Sequence, residues 1–361
     1  MKGIQVNNII IVAVYFWIIE PLLVYTFRNP EINLLIFSSV NFAVVMAVLI
    51  LPNYYNPKKY YFLKKHYPLQ LTWATVLLGI VLLLFLIFRV SGYSTPLGFA
   101  IAYRNGQLGG TFFYTFLITK VIILIFTYLV IFGNQRWIAL GLMFSIIVFS
   151  LMFLGLRIYL IISILTIFLL HDRVSYKMVL TMVIIIVILL AMKLFVNDGK
   201  ISMELLSGFF IRHRIDVYLN PFGFDVTLKQ LFLSLPVLKV FTNLSIEWFF
   251  YNQYAPYKQY IGAGNYSGLA ISLPVVLYNI FGWLAAPILY ACLMLFKNIL
   301  TAISRSKRIL TRLFYLYLIF GLTNTFFEDY YGLNILVDAP IVIPVAYFVL
   351  SLRLRREKLG V

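Results

Sequence analysis

Charged residues are scarce in this chain, and their scarcity excludes a water-soluble fold. They make up 11% of the 361 residues, while 63% of the residues are hydrophobic. A soluble domain carries roughly 25% charged residues, so a soluble surface cannot be built from this composition. The composition and the long apolar runs together predict a polytopic integral membrane protein of the all-α class.

Cysteine is also rare, and several catalytic sequence patterns are missing. Cys292 is the single cysteine, which excludes a disulfide framework and a cysteine-based metal site. The chain contains no P-loop pattern, no His-Glu-x-x-His, no Gly-x-Ser-x-Gly and no outer-side Asp-x-Asp. We therefore expect no metal, no cofactor and no ATP-driven transport.

Ten apolar segments alternate with short polar connections. A bilayer core is about 30 Å thick and needs about 20 apolar residues in a helix. The segments are 8–27, 32–52, 68–90, 112–132, 137–155, 157–171, 177–196, 269–296, 309–327 and 333–352. The first exceeds a signal-peptide core and has no cleavage pattern after it, so we interpret it as an uncleaved span. The whole chain, 1–361, is thus predicted to form one transmembrane domain.

The basic residues fall in short clusters, and these clusters predict the orientation. The net charge is +17, but its carriers lie between apolar runs, as the positive-inside bias requires and a nucleic-acid site does not. Lys2, Arg136, the loops 53–67 and 297–312, the 171–177 turn and the tail after 352 hold 17 of the 29 basic residues. They share one side if each of the ten segments crosses once. Both termini are then cytoplasmic.

The only sizeable hydrophilic region, 197–268, is predicted on the outer side between spans 7 and 8. It is rich in aromatic residues, and Val226–Leu244 mixes apolar and basic residues as interfacial helices do. The aromatic side chains admit two interpretations. They gather at the membrane–water boundary, or they form a platform for sugars or a lipid carrier.

Arg157 is the first candidate functional residue. It stands between two spans, next to Gly155, at the outer mouth of the predicted helix bundle. An arginine can grip a phosphate or diphosphate through paired planar donors. The alternative is an interfacial arginine that reaches lipid phosphates by snorkelling.

A second cluster lies in the long outer loop. Arg212, His213, Arg214 and Asp216 place two guanidiniums, an imidazole and a carboxylate within five residues. Such a set suits phosphate binding and proton transfer, although a basic patch on lipid headgroups has the same composition. Glu247 precedes the aromatic run 248–251, where desolvation would make its carboxylate more basic.

Ionisable residues at membrane depth are functional candidates because their burial is costly. Glu20 and Lys120 lie inside spans one and four, at comparable depth below the outer surface. We expect them to pair with each other or with polar partners in the bundle. Asp338, near the start of the last span, is one of several further outer-side acids.

The layout resembles that of bacterial Wzy polymerases, the O-antigen or oligosaccharide repeat-unit polymerases related to the O-antigen ligases. The matching pieces are Gly155-Leu156-Arg157, the cluster 212–216, the Gly-rich stretch 262–268, and Tyr278-Asn279-Ile280-Phe281-Gly282-Trp283. The resemblance implies a GT-C-like fold in the bacterial inner membrane with a long periplasmic loop. It also implies a glycosyltransferase that needs neither metal nor nucleotide. Its substrate would be undecaprenyl-diphosphate-linked oligosaccharide, and its partners membrane lipids, a chain-length regulator and a flippase.

The implied chemistry assigns roles to the candidate residues. Arg157, with Arg212 or Arg214 or both, would hold the leaving diphosphate. His213 would be the general base, with Asp216 or Glu247 orienting or replacing it. Three other functions remain open: an O-antigen ligase that transfers glycan to lipid A-core, a flippase or transporter of lipid-linked oligosaccharide, and a structural membrane subunit.

Overall fold

The computed structural model describes residues 6–22, 33–50, 111–133, 157–170, 273–303, 306, 308–323 and 335–351, together with Leu180 and Ile184. Nearly all of these residues are helical, and no β-strand occurs among them. The all-α class predicted from the sequence is therefore confirmed for the described residues. Helices suit these sequences because a helix satisfies every backbone polar group within its own apolar segment.

Eight α-helices are described. They are α1 Val6–Val14, α2 Asn33–Ile50, α3 Thr111–Phe132, α4 Arg157–Leu170, α5 Leu273–Phe281, α6 Ala285–Ile303, α7 Ile309–Thr323 and α8 Ile335–Ser351. Helix α1 continues as a π-helical segment, Tyr15–Ile19, and a 3₁₀ turn, Gly282–Leu284, joins α5 to α6. Most of these helices are apolar over nearly their whole length.

The helices follow the predicted segments closely, with two corrections. The predicted span 269–296 is two helices, because Gly282 adopts a positive φ of 57° and interrupts the helix. The predicted cytoplasmic loop 297–312 is shorter than expected: Lys297 lies in α6 and Arg312 in α7. The predicted spans 68–90 and 137–155 and the loop 197–268 lie outside the described residues, as does most of 177–196.

One described helical stretch is long and apolar enough to cross a membrane by itself. It runs from Gly282 to Ile303, and only 11% of its apolar 18-residue window, whose mean hydropathy is 1.7, is buried in the protein. Five shorter apolar helices of 10–17 residues accompany it. The number of spans predicted from the sequence remains a prediction.

The helices pack into two connected groups. In one, α3, α7 and α8 contact one another, and α4 packs against α3 and α7. In the other, α2 packs against both the π-helical segment after α1 and α6, while α5 folds against α6. The groups meet where α6 contacts α7 and α1 contacts α4.

Contacts within the second group fix the directions of its helices. Lys297, late in α6, donates a hydrogen bond of 2.5 Å to the carbonyl of Val48, late in α2, so these helices are parallel. Helix α1 is antiparallel to α2, since the Trp17 ring meets that of Phe37 near the start of α2. It is also antiparallel to α4, because the Asn8 amide donates 2.6 Å to the carbonyl of Phe168.

Contacts within the first group also give information on helix directions. The side chains of Lys120, in the middle of α3, and Asp338, in the first turn of α8, form an ion pair that joins the two helices. Arg312, at the start of α7, lies over the ring of Phe132 at the end of α3, so α7 is antiparallel to α3. Leu322, late in α7, packs on the cluster that contains Ala285, the first residue of α6.

These contacts bring the starts of four helices to one end of the bundle. They are α2, α3, α4 and α6, while α1, α5 and α7 terminate at the same end. We call it the Arg157 end, because α4 begins with that residue. At the opposite end, the Ser306 hydroxyl accepts a 3.3 Å hydrogen bond from the backbone N–H of Arg308, which forms a turn just before α7.

Candidate functional site

Four charged residues, of the types Asp, Glu, Lys and Arg, are buried among the described helices. They are Glu20, Lys120, Arg312 and Asp338, each at most 7% exposed. Burial of a charge costs several kcal/mol unless an opposite charge or hydrogen bonds compensate for it. Glu20 follows the π-helical segment near the Arg157 end, whereas Lys120 lies in the middle of α3 and Asp338 in the first turn of α8.

Lys120 and Asp338 form a buried ion pair between α3 and α8. The sequence predicted that Lys120 would pair with Glu20 or with another polar group in the bundle, and the structure supplies Asp338. Asp338 lies in the first turn of α8, where the helix dipole also favours a negative charge. The pair therefore has two sources of stabilisation, the lysine and the helix terminus.

Tyr317 adds a third polar group to this region from α7. Its side chain is buried, and its hydroxyl has no hydrogen-bond partner among the described residues. The Asp338 carboxylate acts on it electrostatically. Lys120, Tyr317 and Asp338 thus bring polar side chains from α3, α7 and α8 to the same region.

Arg312 occupies the other end of the same group. Its guanidinium carbon lies 5.0 Å from the centre of the Phe132 ring, a cation–π distance. This contact ties the start of α7 to the end of α3. It is far along the helices from Lys120, and we assign it a structural role.

An aromatic row crosses the second group near the Arg157 end. The rings of Trp17 and Phe37 are 6.1 Å apart, those of Phe37 and Tyr278 4.9 Å, and those of Tyr278 and Trp283 5.1 Å. All three pairs are edge-to-face, the arrangement that aromatic quadrupoles favour. The row starts in the π-helical segment after α1 and ends in the 3₁₀ turn before α6.

The predicted site residues divide between described and undescribed parts of the chain. Arg157 is the first residue of α4, at the end of the bundle where four helices begin. The other predicted site residues, Arg212, His213, Arg214, Asp216 and Glu247, lie outside the described residues. Their roles, and the ligand of Arg157, remain predictions. Within the described ranges, no group of three His, Cys, Asp or Glu side chains is placed to hold a metal ion.

The sequence interpretation missed two features of this region. Asp338 was named only as one of several outer-side acids, although its position in the apolar run 333–352 marked it as a residue at membrane depth. The left-handed Gly282 had a weaker signal, since Phe-Gly-Trp inside an apolar run is also typical of an uninterrupted span.

This chain was compared with protein-family models, curated proteins and solved structures, and none of them matches it.

Proposed function

We propose that this chain is a membrane glycosyltransferase that polymerises lipid-diphosphate-linked oligosaccharide repeat units, like the Wzy polymerases that its sequence resembles. The observation that carries the proposal is the position of Arg157 as the first residue of α4, at the end where four helices begin. Positive charge at this end supports the binding of a leaving diphosphate there.

Helix directions support a membrane topology in which that end faces outwards. The charge clusters predict that spans 2, 4, 6, 8 and 10 run inwards from the outer side, and spans 1 and 9 outwards. The described helices α2, α3, α4 and α6 are parallel in the same sense, and α1 and α7 are opposed to them. Two independent observations, loop charge and helix contacts, thus agree on the alternation.

Helix dipoles support an anionic ligand at the Arg157 end. Each helix N-terminus carries the equivalent of about half a positive charge, and each C-terminus the opposite. Among the described helices whose directions the contacts fix, four N-termini (α2, α3, α4 and α6) and three C-termini (α1, α5 and α7) meet at this end, so N-termini outnumber C-termini there. Arg157 adds a full charge with planar, paired donors, which match the oxygens of a diphosphate.

The proposed reaction is a displacement at an anomeric carbon. An acceptor sugar hydroxyl forms a new C–O bond there, the bond to the lipid diphosphate breaks, and the diphosphate leaves with both bond electrons. Arg157 and the guanidiniums of Arg212 and Arg214 stabilise the leaving group. His213, with Asp216 or Glu247, takes the proton from the hydroxyl. The glycan chain grows by one repeat unit for each turnover.

The first test is deletion of the gene in its bacterium, followed by a lipopolysaccharide gel and complementation. We expect the deletion to leave core plus a single repeat unit and the restored gene to regenerate the ladder. We expect Arg157→Ala to insert normally and to lose the ladder. Arg136→Ala, which removes an arginine predicted on the other side, is the matched control and should retain it.

A wild-type ladder in the deletion strain or in the Arg157→Ala variant would refute the corresponding part of the proposal. Normal insertion of each variant should be checked by its abundance in the membrane fraction, because a lost ladder has no meaning for a protein that is degraded.

A flippase or transporter of lipid-linked oligosaccharide is the second candidate. Four buried charged residues occur in the described helices, twice the two that the sequence placed inside spans. Charges inside a bundle are typical of transport pathways. Loss of every O-antigen band, including the single-repeat band, would favour this candidate or the ligase over the polymerase.

A further inference from the structure

We propose that Trp283 and Tyr278 form a stacking platform for a sugar ring of the lipid-linked repeat unit. The inference rests on the proposed function and adds a substrate-binding element to it. It starts from the end of the aromatic row that is open to the surroundings: Trp283 is 50% exposed, whereas Trp17 at the other end of the row is 3% exposed.

Backbone geometry presents Trp283 at the surface. Gly282 has a φ of 57°, a conformation that side-chain-bearing residues rarely adopt, and the chain leaves the α5 helix there. Gly282, Trp283 and Leu284 are all exposed, while Ala285 directly after them is buried. The turn therefore exposes residues 282–284 at the protein surface.

The row of rings holds Trp283 in a defined orientation. Its indole meets Tyr278 edge-to-face at 5.1 Å and 74°, and Tyr278 meets Phe37 in the same way at 4.9 Å and 62°. Phe37 is buried and meets the buried Trp17. A tryptophan that only anchors a protein at a membrane surface needs no such support, whereas a binding surface benefits from being rigid before the ligand arrives.

The chemistry of the two residues suits a sugar. The C–H bonds on one face of a pyranose ring pack against an indole ring, and the indole N–H and the tyrosine hydroxyl can hydrogen-bond to sugar oxygens. The row lies towards the Arg157 end, where the diphosphate of the same substrate is proposed to bind. The row starts in a π-helical segment, a kind of segment that is frequent at functional sites.

Polymerisation by the purified full-length protein in lipid nanodiscs tests the platform. The substrate is the lipid-linked repeat unit extracted from the deletion strain, varied in concentration. We expect Trp283→Leu to raise KM about tenfold, the size of one lost aromatic contact, with a smaller change in kcat. Trp283→Phe should retain most of the affinity because it keeps a ring.

Leu284→Ala is the matched control, since Leu284 is adjacent and more exposed, at 69%. It should leave KM unchanged. If Trp283 only anchors the protein in the membrane, Trp283→Leu will lower the unfolding temperature and leave KM at the wild-type value. An unchanged KM in Trp283→Leu, in protein that polymerises, overturns the platform and leaves the proposed function intact. A wild-type protein that forms no polymer overturns both.

Discussion

At the scale of single residues, the buried ion pair is the most informative feature. Lys120 and Asp338 come from helices that are 218 positions apart in the chain, yet their side chains meet in the interior of the bundle. Removal of one partner leaves the other charge buried, at a cost of about 3–5 kcal/mol, while an apolar replacement of both is often neutral or stabilising. We therefore expect the loss of one partner to destabilise the protein more than the loss of both.

We predict that Lys120→Met and Asp338→Leu will each lower the free energy of unfolding by about 3–5 kcal/mol, and that the double variant will recover most of the loss. Unfolding of the purified protein in detergent by increasing denaturant measures this double-mutant cycle. Additive losses in the double variant would contradict the pairing. If the double variant is stable but does not polymerise, the pair acts in the reaction as well as in folding.

Sequence reasoning located these residues but not their partnership. Lys120 was recognised as a lysine inside a span because the surrounding residues are apolar. Its partner was left open, since pairing across 218 residues depends on which helices become neighbours. Helices that are apolar on all sides carry little information about which face meets which neighbour.

At the scale of elements, the interruption at Gly282 separates two helices that the sequence joined. Nothing lies within 4 Å of the position that a Cβ atom at Gly282 would occupy, so a side chain there would not collide with anything. Glycine is favoured at this position because of its positive φ. Gly133, at the end of α3, shows the opposite situation, because an added Cβ would collide with the backbone carbonyl of Leu129.

We predict that Gly282→Ala will destabilise the protein by about 1–2 kcal/mol, and that Gly282→Asn will cost less because asparagine tolerates the left-handed conformation. At Gly133, asparagine should be no better than alanine, since both carry the Cβ that collides. Thermal unfolding of the four variants measures the difference. Equal losses for alanine and asparagine at position 282 would contradict a conformational cause.

At the scale of the whole molecule, the helices were predictable and their packing was not. Apolar runs of membrane length admit little besides helices, so each described helix lies within one or two residues of a predicted segment or inside it, except that α6 extends beyond position 296. The extra length of α6 escaped prediction because Lys297 was assigned to a loop. In the structure its ammonium group binds the carbonyl of Val48 instead.

We predict that the Arg157 end faces outwards and both chain termini face inwards. Replacement of Cys292, the only cysteine, gives a background for single-cysteine variants. A membrane-impermeant maleimide should label Asn265→Cys in intact spheroplasts, and Ser306→Cys and Lys358→Cys only after lysis. Labelling of Ser306→Cys in intact spheroplasts would contradict the orientation. Complementation of the deletion strain shows which variants remain functional.

The long sequence separation of the buried pair has a consequence for how the protein is made. A ribosome that adds roughly 5–20 residues per second needs about 10–40 seconds to progress from Lys120 to Asp338, 218 positions later. If spans enter the bilayer in the order of their synthesis, the lysine arrives before its aspartate exists. The insertion machinery, or the earlier helices, must shelter that ammonium group in the meantime. Truncation of the nascent chain before α8 should therefore prolong its association with the insertase.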